Sequence, residues 1–311
     1  MFLLTPRDIE ILKALNRYRY LRANFIHRLV GGSKQHVQRR LGDSKFKGKD
    51  FGLAGAGFIR KPEQQLQSYN ARYSPRVYEL TPKGKEVLKQ HGVPIRIWQG
   101  ELQFWHRLMV ADIVSSFEIL AKMNGLRFRD QWDILGDKPL SLPTTIDWGK
   151  LHSDKPLEPD ALFAFDNRYF LLEADRGTEA VERSNLHQTS YLRKLLAYRD
   201  IIRSKTTERE WGIPTPFVLT ITTKPRDPDN PRNDRIENIK NLFLEIGRVH
   251  GQEKPKSYAL AYFARPILGS FEKHPEPLLS LFDDQWERVG HPPLVIRNEL
   301  AIGHTEATRP L

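Results

Sequence analysis

Glu158-Pro159-Asp160-Ala161-Leu162-Phe163-Ala164-Phe165-Asp166-Asn167-Arg168-Tyr169-Phe170-Leu171-Leu172-Glu173-Ala174-Asp175 holds two apolar runs on either side of a short polar turn. Runs of this length rich in aromatic and branched residues, with Asp-Asn between them, predict a β-hairpin. If Asp166 and Asn167 form the turn, residues whose numbers sum to 333 face one another, which sets Asp160 across from Glu173. A turn shifted by one residue sets Asp160 across from Asp175 instead. Either register opposes two carboxylates. Like charges across a strand pair cost stability, so a cation or a proton is expected between them. Oxygen donors of this kind favour magnesium or manganese, with Asp160, Glu173 and Asp175 as the ligands.

The flanking sequence supplies helices. Over 100–123 the apolar arc runs through Trp105, Leu108, Met109, Ile113, Ile119 and Leu120, and Asp112 falls inside it, where a carboxylate needs a partner. After the hairpin a helix is expected over 179–203, in which His187, Tyr191, Lys194 and Tyr198 recur at spacings of four, three and four on one face. A strand at 216–222, a helix at 234–248 and a strand at 257–264 complete an alternation of helices and strands. The expected class is α/β, α+β overall, with a sheet domain over residues 96–290. The Pro- and charge-containing end, 291–311, reads as a disordered tail.

Residues 1–95 differ in charge. They hold 19 Lys and Arg against 7 Asp and Glu, while the totals of 49 and 38 leave 30 against 31 for the remainder. The whole excess of positive charge therefore sits at the front, as in a module that meets a polyanion. Thr5-Pro6 starts a first helix with Ile9, Leu12 and Leu15. A second amphipathic helix holds Leu21, Phe25, Ile26, Leu29 and Val30, Gly31-Gly32 ends it, and Ser33 caps a third through Leu41. Three short helices with one tight turn predict helix-turn-helix. Gly57–Lys61 and Arg76–Leu80 then read as strands around a polar wing, before Thr81-Pro82-Lys83-Gly84 opens another helix that stops near Gly92. The boundary is expected at 93–99.

Helix-turn-helix modules set their later helix in the major groove, so Lys34, Gln35, His36, Gln38, Arg39 and Arg40 are candidates for contact with duplex DNA. The basic insertion with Lys45, Lys47 and Lys49, and Arg60, Lys61, Arg72 and Arg76 around the wing, are candidates for phosphate contact. Paired half-sites make a homodimer the natural assembly, although no heptad pattern marks its interface.

Composition narrows the rest. The absence of cysteine excludes disulfides, thiolate zinc sites and cysteine nucleophiles, and the ten histidines form no His-Glu-x-x-His pair. No apolar run approaches membrane-spanning length and the first residues lead at once into Arg7-Asp8, so no membrane partner and a cytoplasmic location are expected.

Pro159-Asp160, the apolar strand pair and Glu173-x-Asp175 resemble the PD-(D/E)xK nuclease motif, with Asp175 in the place of its lysine. The resemblance implies metal-binding acids and a lysine near the scissile phosphate, which Lys194 on the following helix would supply. Leu172-Glu173-Ala174-Asp175-Arg176-Gly177-Thr178-Glu179 is similar, together with other stretches, to the replication-relaxation family of plasmids and other mobile elements. Those stretches are His106 and Asp112, Tyr78-x-Leu80-Thr81-Pro82-Lys83-Gly84, Arg235-Ile236-Glu237-Asn238-Ile239 and Asp284-Gln285-Trp286. This resemblance implies a winged helix fused to a restriction-endonuclease-like domain, with replication proteins among its partners. It leaves two readings open. One is a DNA-binding protein of a mobile element whose nuclease-like domain is degenerate or has moved its lysine. The other is a magnesium-dependent endonuclease or nickase using Asp160, Glu173 and Asp175, with Lys194 and Asp112 assisting.

Overall fold

The computed structural model describes residues 2–43, 45–46, 49–50, 52–67, 76–98, 104–183, 185–269 and 275–306. The chain forms two compact units, Met1–Leu120 with Ser270–Leu279, and Ala121–Gly269 with Ser280–Leu311.

In the first unit, α1 (Pro6–Tyr18) begins with a capping box. The Thr5 hydroxyl accepts from the Asp8 N–H at 3.3 Å and the Asp8 carboxylate accepts from the Thr5 N–H at 2.7 Å. β1 (Leu21–Arg22) leads into α2 (Ala23–Val30), which stops at Gly31 in the left-handed region, φ 71°. Leu21, expected within the second helix, is instead extended and paired with Tyr78. α3 (Lys34–Leu41) starts at Ser33, whose hydroxyl accepts from the His36 N–H. The basic insertion forms a strand pair, β2 (Lys45–Phe46) with β3 (Lys49–Asp50). β4 (Ile59–Arg60), α4 (Gln64–Gln67) and β5 (Val77–Leu80) come next, and the antiparallel sheet has the order β1-β5-β4. α5 (Pro82–Gln90) opens on its Thr81 cap. Leu12, Leu15, Phe25, Ile26, Val37 and Leu41 are buried.

The long helix α6 (Phe104–Met123) carries the division between the units, which falls at 120 and not at 93–99. The reason is packing: Phe104 and Leu108 share a buried cluster with Tyr20 and Val77 of the front unit.

The second unit opens with β6 (Phe128–Asp130), α7 (Gln131–Leu135) and a hairpin of β7 (Ile146–Trp148) with β8 (Leu151–Ser153). The expected hairpin is β9 (Ala161–Phe165) with β10 (Arg168–Asp175), and it adopts the register summing to 333, Phe165 opposite Arg168 and Ala161 opposite Leu172. α8 (Tyr191–Arg203), α9 (Thr206–Trp211), β11 (Phe217–Thr222), α10 (Arg235–Val249) and β12 (Leu260–Ala264) complete the alternation. The five-stranded mixed sheet has the order β12-β11-β10-β9-β6, parallel between β10, β11 and β12 and antiparallel at β9 and β6.

Alternation along the strands sorts their side chains onto two faces. Phe163, Phe165 and Phe170 pack together on one face with Phe282, Phe163 stacked on Phe170 and Phe165 edge-on to Phe163 and Phe282. Leu162 and Leu171 point to the other, into a cluster with Leu192, Leu195 and Leu196 of α8 and Ile239 and Leu242 of α10.

Two expectations change here. α8 begins at Tyr191 and not at 179, because Ser190 caps it by accepting from the Arg193 N–H, so His187 lies outside the helix. The end after 290 is structured as far as residue 306. Leu294 and Ile296 are buried, Leu294 bridges to Trp286, and α11 (Ile296–Glu306) closes the unit.

Candidate functional site

Glu173 and Asp175 are two residues apart on β10, on the face that carries Leu171, and this face meets α8 and α10. Asp160 joins them because the register places it opposite Glu173. Its N–H donates to the Leu172 carbonyl at 3.0 Å and its Oδ2 accepts from the Ala174 N–H at 2.7 Å. Three of the sequence-predicted acids thus sit at the ends of two adjacent strands. Asp160 is half-buried, and Glu173 and Asp175 are 2% and 4% exposed.

Lys194 reaches Glu173 from α8, although the pair it bridges is not the expected one of Asp160 and Glu173. Its Nζ lies 2.9 Å from Glu173 Oε2 and 2.9 Å from Glu179 Oε2, bridging two carboxylates, while Tyr198 donates its hydroxyl to Glu173 Oε1. Asp175 is turned to a different cation. Arg235, at the start of α10, grips both of its oxygens at 3.0 and 3.1 Å, and Thr222 Oγ1 and the Gly177 N–H donate to them as well. Tyr191 lies between the two cations, its ring under Lys194 Nζ at 5.4 Å and under the Arg235 guanidinium at 4.8 Å. Its hydroxyl is buried without a hydrogen-bond partner.

The electrostatics reflect this geometry. Burial pushes the Glu173 carboxyl above the usual carboxylate range, Lys194 draws it back, and Asp160 adds to the rise. Burial disfavours the Lys194 ammonium, but Glu173, Tyr191, Asp160 and Glu179 together hold its pKa well above that of an ordinary lysine. Burial, with Asp175 next to Tyr191 and Glu173 next to Tyr198, keeps both phenols protonated far above their usual range.

Asp112 lies in the first unit, on α6, 1% exposed. Its Oδ2 accepts from Arg22 Nε at 2.9 Å and its Oδ1 is buried without a partner. Burial pushes this carboxyl up to about 6 despite the guanidinium beside it.

Of the residues expected to meet DNA, Lys34, Gln35, His36, Gln38 and Arg39 are exposed along α3. Arg40 is not available in the same way. It is turned into the unit, where its NH2 donates to Asp8 Oδ2 at 2.7 Å and to the Leu3 carbonyl, and its guanidinium lies over Phe2. Asp8 is 1% exposed, and a buried carboxylate requires such a partner. Arg60 pairs with Glu79 and Lys61 with Asp43, both on the surface, and Arg76 is exposed. Lys47 and Arg72 lie outside the described residues, and so do the side chains of Lys45 and Lys49.

The replication-relaxation family matches residues 12–215, a span that takes in α3, Asp112, Asp160, Glu173, Asp175 and Lys194. The chain belongs to the replication-relaxation family. No curated protein matches the chain. Among solved structures, a protein from Vibrio cholerae matches at 10% identity with a TM-score of 0.24, over 88% of this chain and 56% of its own, so the chain spans little more than half the length of that protein. Among the described residues no helix is long and apolar enough to cross a membrane.

In this member of the replication-relaxation family, the partners the acids already hold decide whether they can take a metal. Both oxygens of Glu173 and both of Asp175 are engaged by side chains, and an ammonium stands between Glu173 and Glu179. Among the described residues no group of three His, Cys, Asp or Glu is placed to hold a metal ion. As arranged, the donors do not fit magnesium or manganese. Sequence reasoning missed Arg235, Glu179 and Thr222 as members of the site. Arg235 and Glu179 lie inside the quoted family stretches, but nothing in their spacing announces which carboxylate or ammonium they meet.

Proposed function

We propose that this chain is a DNA-binding protein of a mobile genetic element, acting in its replication or maintenance or in their control. The front unit is a winged helix that reads duplex DNA, and the rear unit is a nuclease-like domain in which Lys194 has taken the cation's place. The observation that carries the reading is the exposed row Lys34, Gln35, Gln38 and Arg39 on α3, within the first 95 residues, where 19 Lys and Arg stand against 7 Asp and Glu. Three helices with β1 between the first two, followed after the β2–β3 pair by β4, α4 and β5, with β5 between β1 and β4 in the sheet, support a winged helix. Side chains that donate in pairs to base edges sit where a recognition helix presents them. The partners are then duplex DNA and the element's replication proteins, with paired half-sites favouring a homodimer.

Fluorescence anisotropy with duplex from the element's own origin tests this. Combined Lys34→Ala and Arg39→Ala should weaken binding and flatten its salt dependence by about one unit of slope per lost phosphate contact. Unchanged affinity would contradict the reading.

A second reading, a magnesium- or manganese-dependent nickase using Asp160, Glu173 and Asp175, is favoured by one observation, the reach of Lys194 from the following helix to Glu173. It requires the side chains that now hold the acids to release them. Supercoiled plasmid incubated with either ion decides between the two. Nicked circles that disappear in Asp160→Ala would replace the first reading with the second.

A further inference from the structure

Away from the carboxylates, the rear unit has a cavity of about 550 Å³ beside the second half of α10. Lys240 and Arg248 on α10, Lys254 and Lys256 on the loop beyond it, and Arg288 line it, with Glu237 and Glu253 as its acids. None of the residues that line it holds Glu173 or Asp175, and with a rise of about 1.5 Å per residue Arg248 lies roughly 20 Å along α10 from Arg235.

The charges sort into committed and uncommitted groups. Lys240 is shared between Glu237 and Glu287, at 3.1 and 3.0 Å. Arg288 donates to the carbonyls of Pro292 and Tyr258. Among the described residues Arg248, Lys254 and Lys256 have no ion pair and no side-chain hydrogen bond, and Glu253 is the one lining acid in that condition. Three uncompensated cations therefore face one uncompensated anion, in a part of the chain whose overall charge is balanced.

Their placement is built by packing. Pro255 and Gly247 are buried against each other, and a Cβ on Gly247 would come within 2.3 Å of the Pro255 ring. A Cβ on Gly290 would meet the Lys256 side chain at 2.6 Å, and the Ser257 N–H donates to the Val289 carbonyl at 3.0 Å. Two glycines thus let the Glu253–Lys256 loop lie close against both neighbours, which holds Lys254 and Lys256 toward the same space as Arg248.

We propose that this cavity is a binding site for phosphate oxyanions, carried either by the backbone of nucleic acid or by a free polyphosphate. A forked guanidinium with two ammonium groups suits several phosphate oxygens at once, and the volume admits more than one phosphate group. The site is independent of α3, so the chain would hold a polyanion at two places.

The test uses the full chain with Arg248→Ala, Lys254→Ala and Lys256→Ala combined, all at exposed positions. Binding of a labelled duplex and of inorganic tripolyphosphate is measured across a salt series. Loss of duplex affinity, with the slope of log K against log salt falling by about 0.9 for each contact removed, supports a nucleic-acid ligand. Loss of tripolyphosphate binding alone supports the site with a free polyphosphate as its ligand. If both probes bind the triple variant as they bind the original chain, the proposal is overturned. Lys34→Ala with Arg39→Ala, run alongside, reports on the front unit separately, so either reading can fail while the other stands. Exchange of the two lysines for arginine and of Arg248 for lysine should retain binding.

Discussion

Asp112 and Glu173 are both carboxylates on apolar faces, both almost wholly buried, and both expected at a catalytic centre, yet their surroundings differ. Glu173 has a partner on each oxygen, and its ammonium is shared with a second acid. Asp112 has one partner and one orphaned oxygen. Burial raises both, but in the rear unit the cost is offset by a closed network, whereas in the front unit it remains as a titratable group near pH 6. A buried acid is therefore a poor sign of catalysis until its partners are counted.

The largest expected effect breaks the closed network. Lys194→Met leaves Glu173 and Glu179 facing each other without a cation, and should cost roughly 3–5 kcal/mol in chemical denaturation of the rear unit. Restoring part of that loss with Glu173→Gln in the same chain would show that the ammonium, and not the packing of its stem, carries the effect.

Asp112 is the next largest. Its folded-state value lies above the ordinary 3.8, so the protonated form favours the fold. Stability from this group is complete below about pH 4 and is lost as pH rises through about 6. Asp112→Asn should remove that loss, and the difference between variant and original chain should grow to about 3 kcal/mol across the window and then stay flat. A difference that does not vary with pH would show that Asp112 is ionised throughout.

The smallest effect belongs to Tyr191, whose hydroxyl makes no hydrogen bond. Tyr191→Phe keeps the ring under Lys194 and Arg235 and should change stability by less than about 1 kcal/mol, in the stabilising direction, because a buried hydroxyl without a partner is costly.

Local chemistry was legible and distant pairing was not. The hairpin came from Asp166-Asn167 flanked by apolar runs, with two registers left open, and the helix starts came from Thr5-Pro6, Ser33 and Thr81-Pro82, because caps and turns act within four residues. The same rule would have placed the start of α8 at Ser190, but the regular spacing back to His187 outweighed it. Arg40 reads as a solvated cation until Asp8, one helix away in space and 32 residues away in sequence, is known to be buried. The bridging of Glu173 and Glu179 by Lys194, and the hold of Arg235 on Asp175, depend on which helix covers which strand, and no periodicity encodes that. The short strands β7 and β8 carry too few residues for an alternation to stand out.

The buried acids of β10 already hold cations of the chain itself, Glu173 in Lys194 and Asp175 in Arg235. Thermal unfolding of the full chain with and without millimolar magnesium tests this directly, since an ion that binds only the folded state raises the melting temperature. The melting temperature should be the same in both, for the original chain and for Asp160→Ala alike. A rise with magnesium in the original chain that vanishes in Asp160→Ala would contradict it.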